Sequence, residues 1–157
     1  MRIRIVVANQ TEARFYDTLS RRQTLVPAGV LTNPVGRLHD RDLDSDRPGR
    51  VFNGAARVGG RRGATPRHAT NNESSTRQHA IEKFARRVGT ELGKALVAHR
   101  FDGVVLVAEP GFLGRLRRAL PAAVRAVVTA SIGHDLVAQR GQDIRDYLPN
   151  SVSSLAS

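Results

Sequence analysis

The stretch LHDRDLDSDRPGR, residues 38 to 50, sets Asp40, Asp42, Asp44 and Asp46 at alternate positions, with Arg41, Arg47 and Arg50 between and behind them. Carboxylates this dense suit a calcium loop, a general acid/base pair, or turn-capping acids neutralised by neighbouring arginines. An EF-hand-type loop needs Gly at its sixth position and a bidentate Glu at its twelfth. Counted from Asp40, those positions hold Ser45 and Val51, and no flanking helices are expected. General acid/base work needs a nearby nucleophile or a perturbing pocket, and the flanking sequence offers neither. The preferred reading is that the aspartates cap turns and pair with Arg41, Arg47 and Arg50.

Past Asp46 the chemistry changes. From Arg47 to Asn72 there is no acid, while Arg47, Arg50, Arg57, Arg61, Arg62 and Arg67 stand among Gly49, Gly54, Gly59, Gly60 and Gly63. An unopposed cationic segment attracts a phosphate backbone, and glycines let main-chain N–H groups approach it closely. A solvated loop with no ligand has the same composition, so both readings stand. GRRG, residues 60 to 63, matches the GXXG nucleotide clamp of KH domains but lacks the helix expected before it.

Other chemistry is thinly represented. A two-metal nuclease needs converging carboxylates; Glu82 and Glu109 are well placed, yet the first strand carries no acid. EPGFLG, residues 109 to 114, could present helix N–H groups to an anion, although such a turn is more often structural. The five histidines lack metal-ligand spacing. His39 could orient an Asp, His79 stands near the start of the long helix, and His134–Asp135 reads as a turn or a helix lead-in. There is no cysteine, no G-x-G-x-x-G and no P-loop, so neither a metal nor a cofactor is expected.

The elements that must position these groups follow from hydrophobic patterning. Strands are expected at about 2–8, 13–19 and 24–32, with Pro27 marking an edge position or a bulge. Residues 33–74 show no periodicity and read as a long loop. Ser75 and Gln78 form a capping box for a helix through about 99, whose apolar face is Ile81, Phe84, Ala85, Val88, Leu92, Ala95 and Leu96. Gly89 and Gly93 either weaken that helix or permit close packing. GVVLVA (103–108) reads as a strand covered on both faces. A short helix opened by Pro110, a last strand at 124–132 and a helix at 141–148 follow. The expected fold is α/β, in the order βββαβαβα of ribonuclease-H-like folds, with a mixed five-stranded sheet. It forms one domain over 1–148 with a fraying polar tail, 149–157.

The chain has 157 residues and a net charge of +11, with 23 of its 25 basic residues Arg. That excess draws in polyanions or an acidic partner surface. Arg4 interrupts the only early apolar run, and nothing approaches the roughly 18 apolar residues of a membrane span. A soluble, cytoplasmic protein without membrane insertion is expected. No feature sets an oligomeric state.

NPVGRLHDRDLDSDRPGRVF (33–52) resembles the signature of the bacterial host attachment protein family, described as relatives of archaeo-eukaryotic peptide-chain release factors. The motif positions are His39, Asp40, Arg41, Asp42, Asp46, Arg47, Pro48, Gly49 and Arg50. KFARRVGTEL (83–92), FDGVVLVAEPGFLGRLRRAL (101–120) and IGHDL (132–136) follow in the expected order. The resemblance implies a ribonuclease-H-like fold akin to the release factors' central domain, whose Gly-Gly-Gln loop enters the peptidyl-transferase centre. Here Gly59 and Gly60 sit in the corresponding loop, but Arg61 stands where Gln would be, so hydrolysis is not implied. The chain is also too short to hold a codon-reading domain. The leading expectation is a non-enzymatic, release-factor-like domain contacting RNA or the ribosome through Arg47, Arg50, Arg57, Gly59, Gly60, Arg61, Arg62 and Arg67. The alternatives are an attachment-related protein-interaction module with an acidic protein partner and, behind it, a hydrolase or metal-dependent nuclease using Glu109.

Overall fold

The computed structural model describes residues 1–20, 22–37, 64–150 and 152. Strands β1 (Ile3–Ala8), β2 (Glu12–Thr18) and β3 (Val26–Thr32) form an antiparallel meander. Helix α1 (Pro34–Arg37) follows, then the long helix α2 (Ala64–Val97), β4 (Gly103–Ala108), α3 (Pro110–Ala119), α4 (Ala122–Arg125), β5 (Val128–Ile132) and α5 (Gly141–Arg145). The sheet order is β3-β2-β1-β4-β5, with β4 parallel to both β1 and β5. This is the five-stranded mixed α/β sheet expected from the patterning, and β3, carrying Pro27, is an edge strand.

Two hydrophobic layers sandwich the sheet. On one side Ile81, Phe84, Ala85, Val88 and Leu92 of α2, with Phe112, Leu116 and Val124, pack on Val6, Phe15, Val104 and Leu106. On the other, Leu136, Val137, Ile144, Leu148 and Val152 cover Ile5, Val7, Val105 and Val107. Strands β1 and β4 are buried on both faces and so read as near-continuous apolar runs. The exception within β1, Arg4, is only 8% exposed. Its Nε and Nη2 each donate to the Asp17 carboxylate at 2.8 Å, and its guanidinium lies 5.3 Å from the Phe101 ring centroid. A buried charge is tolerable when paired and hydrogen-bonded in this way. Arg4 and Asp17 are direct cross-strand partners.

Three expectations need correction. Helix α2 starts at Ala64, so Ser75 and Gln78 lie inside it rather than capping it, and α1 occupies part of the expected 33–74 loop. The reason is that hydrophobic periodicity reports burial, not helicity. In sequence, ATPRHATNNESSTRQHA (64–80) has no stripe of large apolar residues, and the periodic pattern begins at Ile81. Residues 124–132 do not form one strand: α4 buries Val124 in the first layer before β5 begins at Val128. A short apolar run fits either state. In the expected tail, Val152 is fully buried in the second layer.

Gly89 resolves in favour of close packing. A Cβ there would lie 2.7 Å from the Ala119 carbonyl oxygen, where α2 meets the end of α3.

Candidate functional site

The carboxyl ends of the parallel strands β1, β4 and β5 open into a cleft lined by Asn9, Gln10, Thr11, Glu109 and Asp135. In open α/β sheets such ends are where ligands are usually held. Here the polar groups are largely committed to one another. Asn9 Oδ1 accepts from the Thr11 N–H (2.9 Å), the Thr11 hydroxyl (2.8 Å) and the Glu12 N–H (3.0 Å). Its amide Nδ2 donates to Asp135 at 3.1 and 3.3 Å. Asp135 also accepts from the Val137 N–H at 3.3 Å, which makes it the turn residue expected, while His134 meets Tyr147 in a tilted ring contact with centroids 5.3 Å apart.

Glu109 is equally occupied. Its two oxygens accept from the Gly111 N–H (2.8 Å) and the Phe112 N–H (3.0 Å), so it is the N-cap of α3, with Pro110 following it. The anion site that EPGFLG could have offered is therefore filled by the chain's own carboxylate. Glu82 accepts from Arg115 Nη1 at 2.6 Å, and Gln78 takes a further short hydrogen bond from Arg115 Nη2. The two acids well placed for a nuclease are thus engaged separately. Among the described residues no three metal-ligating side chains cluster.

Asn9 ties three segments together, so Asn9→Ala should loosen this end of the sheet. Losing a side chain that satisfies several part-buried donors costs about 1–3 kcal/mol. The expected result is a urea midpoint lowered accordingly, with faster amide exchange at Thr11 and Glu12. Unchanged exchange at both amides would show that Asn9 does not organise the turn.

The chain leaves this end toward the motif. Asn33, 7% exposed, donates its N–H to the Thr11 carbonyl (2.8 Å) and its Nδ2 to the Gln10 carbonyl (2.9 Å). Gly36 packs so closely on the Gln10 carbonyl that a Cβ has no room. Helix α1 then leads into residues 38–63. His39 to Arg50, Arg57, Gly59, Gly60, Arg61 and Arg62 lie outside the described residues, and Arg67 falls in the first turns of α2.

The chain matches, over residues 4–148, the model of a family described as proteins required for attachment to host cells. This chain belongs to that family. The match begins within β1 and spans the other four strands and the motif segment, in accord with the resemblance noted from the sequence. No curated protein matches it. Among the described residues of this family member, no helix is long and apolar enough to cross a membrane.

One site feature escaped the sequence reading. Charge is segregated between the two layers flanking the sheet. Residues 74–125, which include the helical layer, hold ten Arg or Lys against four Asp or Glu; residues 133–150, on the opposite layer, hold two against three. Lys83, Arg86, Arg117 and Arg118 are exposed and make no ion pair among the described residues. The signal was present in the polar side of the same helical pattern whose apolar side identified the core.

Proposed function

We propose that this domain binds RNA, with the ribosome as its natural surface, through the Arg/Gly-rich segment 47–67. Its role is to bind and position, not to catalyse. The observation that supports this reading is the one-sided charge. The segment runs directly into α2, and the layer that α2 belongs to carries the unopposed cations Lys83, Arg86, Arg117 and Arg118. Two cationic regions on contiguous chain would give a backbone-tracking surface, in which phosphate contacts set affinity and register without reading sequence. The release-factor likeness points to the same ligand class. Arg61 in place of the catalytic Gln exchanges a water-positioning group for another phosphate contact. Attachment to host cells would then follow indirectly from what the domain binds.

The test is a sucrose gradient of a lysate containing the full chain at its native level. Co-sedimentation with ribosomal subunits at low salt, lost progressively as salt rises, is the expected outcome. Protein that stays at the top of the gradient even at low salt would overturn the proposal.

A further inference from the structure

Strand β3 ends the sheet, and among the described residues no strand pairs with its outer rim. The Asn33 N–H bonded to the Thr11 carbonyl sets the phase of the β2–β3 ladder. Counting back by two, Leu31 and Gly29 turn their backbone groups toward Ala13 and Phe15, while Thr32 and Val30 turn theirs outward. The outward Thr32 carbonyl accepts from Arg87 Nη1 at 3.2 Å, a side chain standing where a neighbouring strand would donate. The Val30 N–H and C=O and the Thr32 N–H face out beside it.

Edges are commonly blunted by proline or by a bulge. Here both devices protect only the first half of β3. Phe15 pairs with Gly29 and Tyr16 with Pro27, which leaves Ala28 as the extra residue, and Gly29 takes a φ of 149° that other residues rarely adopt. Val30 to Thr32 are not guarded in this way.

A groove of about 380 Å³ separates this edge from α2, floored by Phe15, Leu31, Ala95 and Ala98 with Lys94 and Arg100 at its rim. It continues past Leu31 toward Lys83, Arg86 and Arg87. Among the described residues the sole acid lining it is Glu91, which lies 3.5 Å from Lys94. On the other face of the sheet Val30 is 56% exposed.

We propose that this edge docks an extended acidic segment of a partner protein, which adds to β3 at Val30–Thr32 and alternates carboxylates with aliphatic side chains. The alternation follows from strand geometry, since successive side chains point to opposite faces. Those on the α2 side lie over Lys83, Arg86, Arg87 and Lys94; those on the other side lie beside Val30. A second copy of this chain would set the same cations against each other, on a molecule already carrying +11. RNA has no evenly spaced amide and carbonyl row to meet the Val30 backbone. The site does not involve residues 47–67 but shares Lys83 and Arg86 with the proposed RNA surface, so the backbone of Val30, which that surface does not use, is what separates the two.

The test uses the labelled hexapeptide EVEVEV, its block isomer EEEVVV and oligouridylate, titrated against the full chain and its Val30→Pro variant. Proline at 30 removes an outward N–H without removing a bond to β2. The wild type should bind EVEVEV at least tenfold more tightly than EEEVVV. Val30→Pro should lose at least tenfold in EVEVEV affinity while its circular dichroism and its affinity for oligouridylate stay unchanged. A paired substitution, Arg87→Glu with Lys94→Glu, should abolish the binding of EVEVEV. Equal binding of the two isomers would reduce the effect to net charge and overturn the proposal. So would a parallel loss of oligouridylate binding, or a dimer that Val30→Pro dissociates. Should Val30→Pro misfold, amide exchange on the wild type decides: EVEVEV must slow exchange at Val30 and Thr32, and no slowing at either refutes strand addition.

Discussion

Phe84→Ala should lower the unfolding free energy by about 3–5 kcal/mol, the usual cost of truncating a buried aromatic without collapse of the cavity. Phe84 is 1% exposed and lies at the centre of the helical layer. Its ring meets Phe112 at a centroid distance of 5.8 Å with a 32° tilt, so α2 and α3 share this contact above the sheet. Arg87 lies 5.8 Å from the same ring and covers it from outside. Little can move in to refill the space, because Gly89 already holds α2 against the Ala119 carbonyl. Domains of this size are stable by about 5–15 kcal/mol, so this one change removes a large share. Urea unfolding should show a reduced midpoint at an unchanged slope. Val97→Ala, at a position 79% exposed on the same helix, should stay within about 0.5 kcal/mol. If the two variants unfold alike, Phe84 is not the keystone of this layer.

The strands were legible because burial in a sheet imprints on sequence directly. IRIVVA and GVVLVA are buried on both faces and appear as apolar runs; Pro27 appears at an edge because only an edge tolerates its missing N–H. What escaped notice lacks such an imprint. The first turns of α2 have no apolar stripe, so the capping pattern at Ser75 and Gln78 looked like a beginning. Val152 sits beyond the last patterned element and is buried by a contact distant in sequence. Asn9 offered only the weak hint of a polar residue closing an apolar strand, with Thr11 two places on. The carboxylates were legible as residues but not in their roles: capping by Glu109 and pairing by Glu82 depend on partners that local sequence does not specify. The cations of the helical layer were countable, yet their segregation onto one side of the sheet became visible only with the fold. For the motif and the arginines that follow it, charge and glycine content carry the argument, since residues 38–63 lie outside the described part of the structure.

Those arginines bear the largest expected effect on binding. Replacing Arg57, Arg61 and Arg62 together by alanine should halve the number of cations available from the segment, which holds six arginines in all. Each phosphate neutralised on a single strand contributes roughly 0.7 to the slope of log affinity against log salt. With all six engaged, a rise from 50 to 200 mM salt should weaken binding roughly 340-fold; with three, roughly 18-fold. The variant should therefore bind oligouridylate far more weakly at low salt, with its salt slope reduced by about 2, half of the segment's share. Flattening is the diagnostic part, because the slope counts the phosphates neutralised, whereas affinity alone also falls for other reasons. Fold is monitored independently through the urea midpoint. An unchanged slope would place the phosphate contacts elsewhere, on Lys83, Arg86, Arg117 and Arg118 of the helical layer, and the segment would then act by something other than charge.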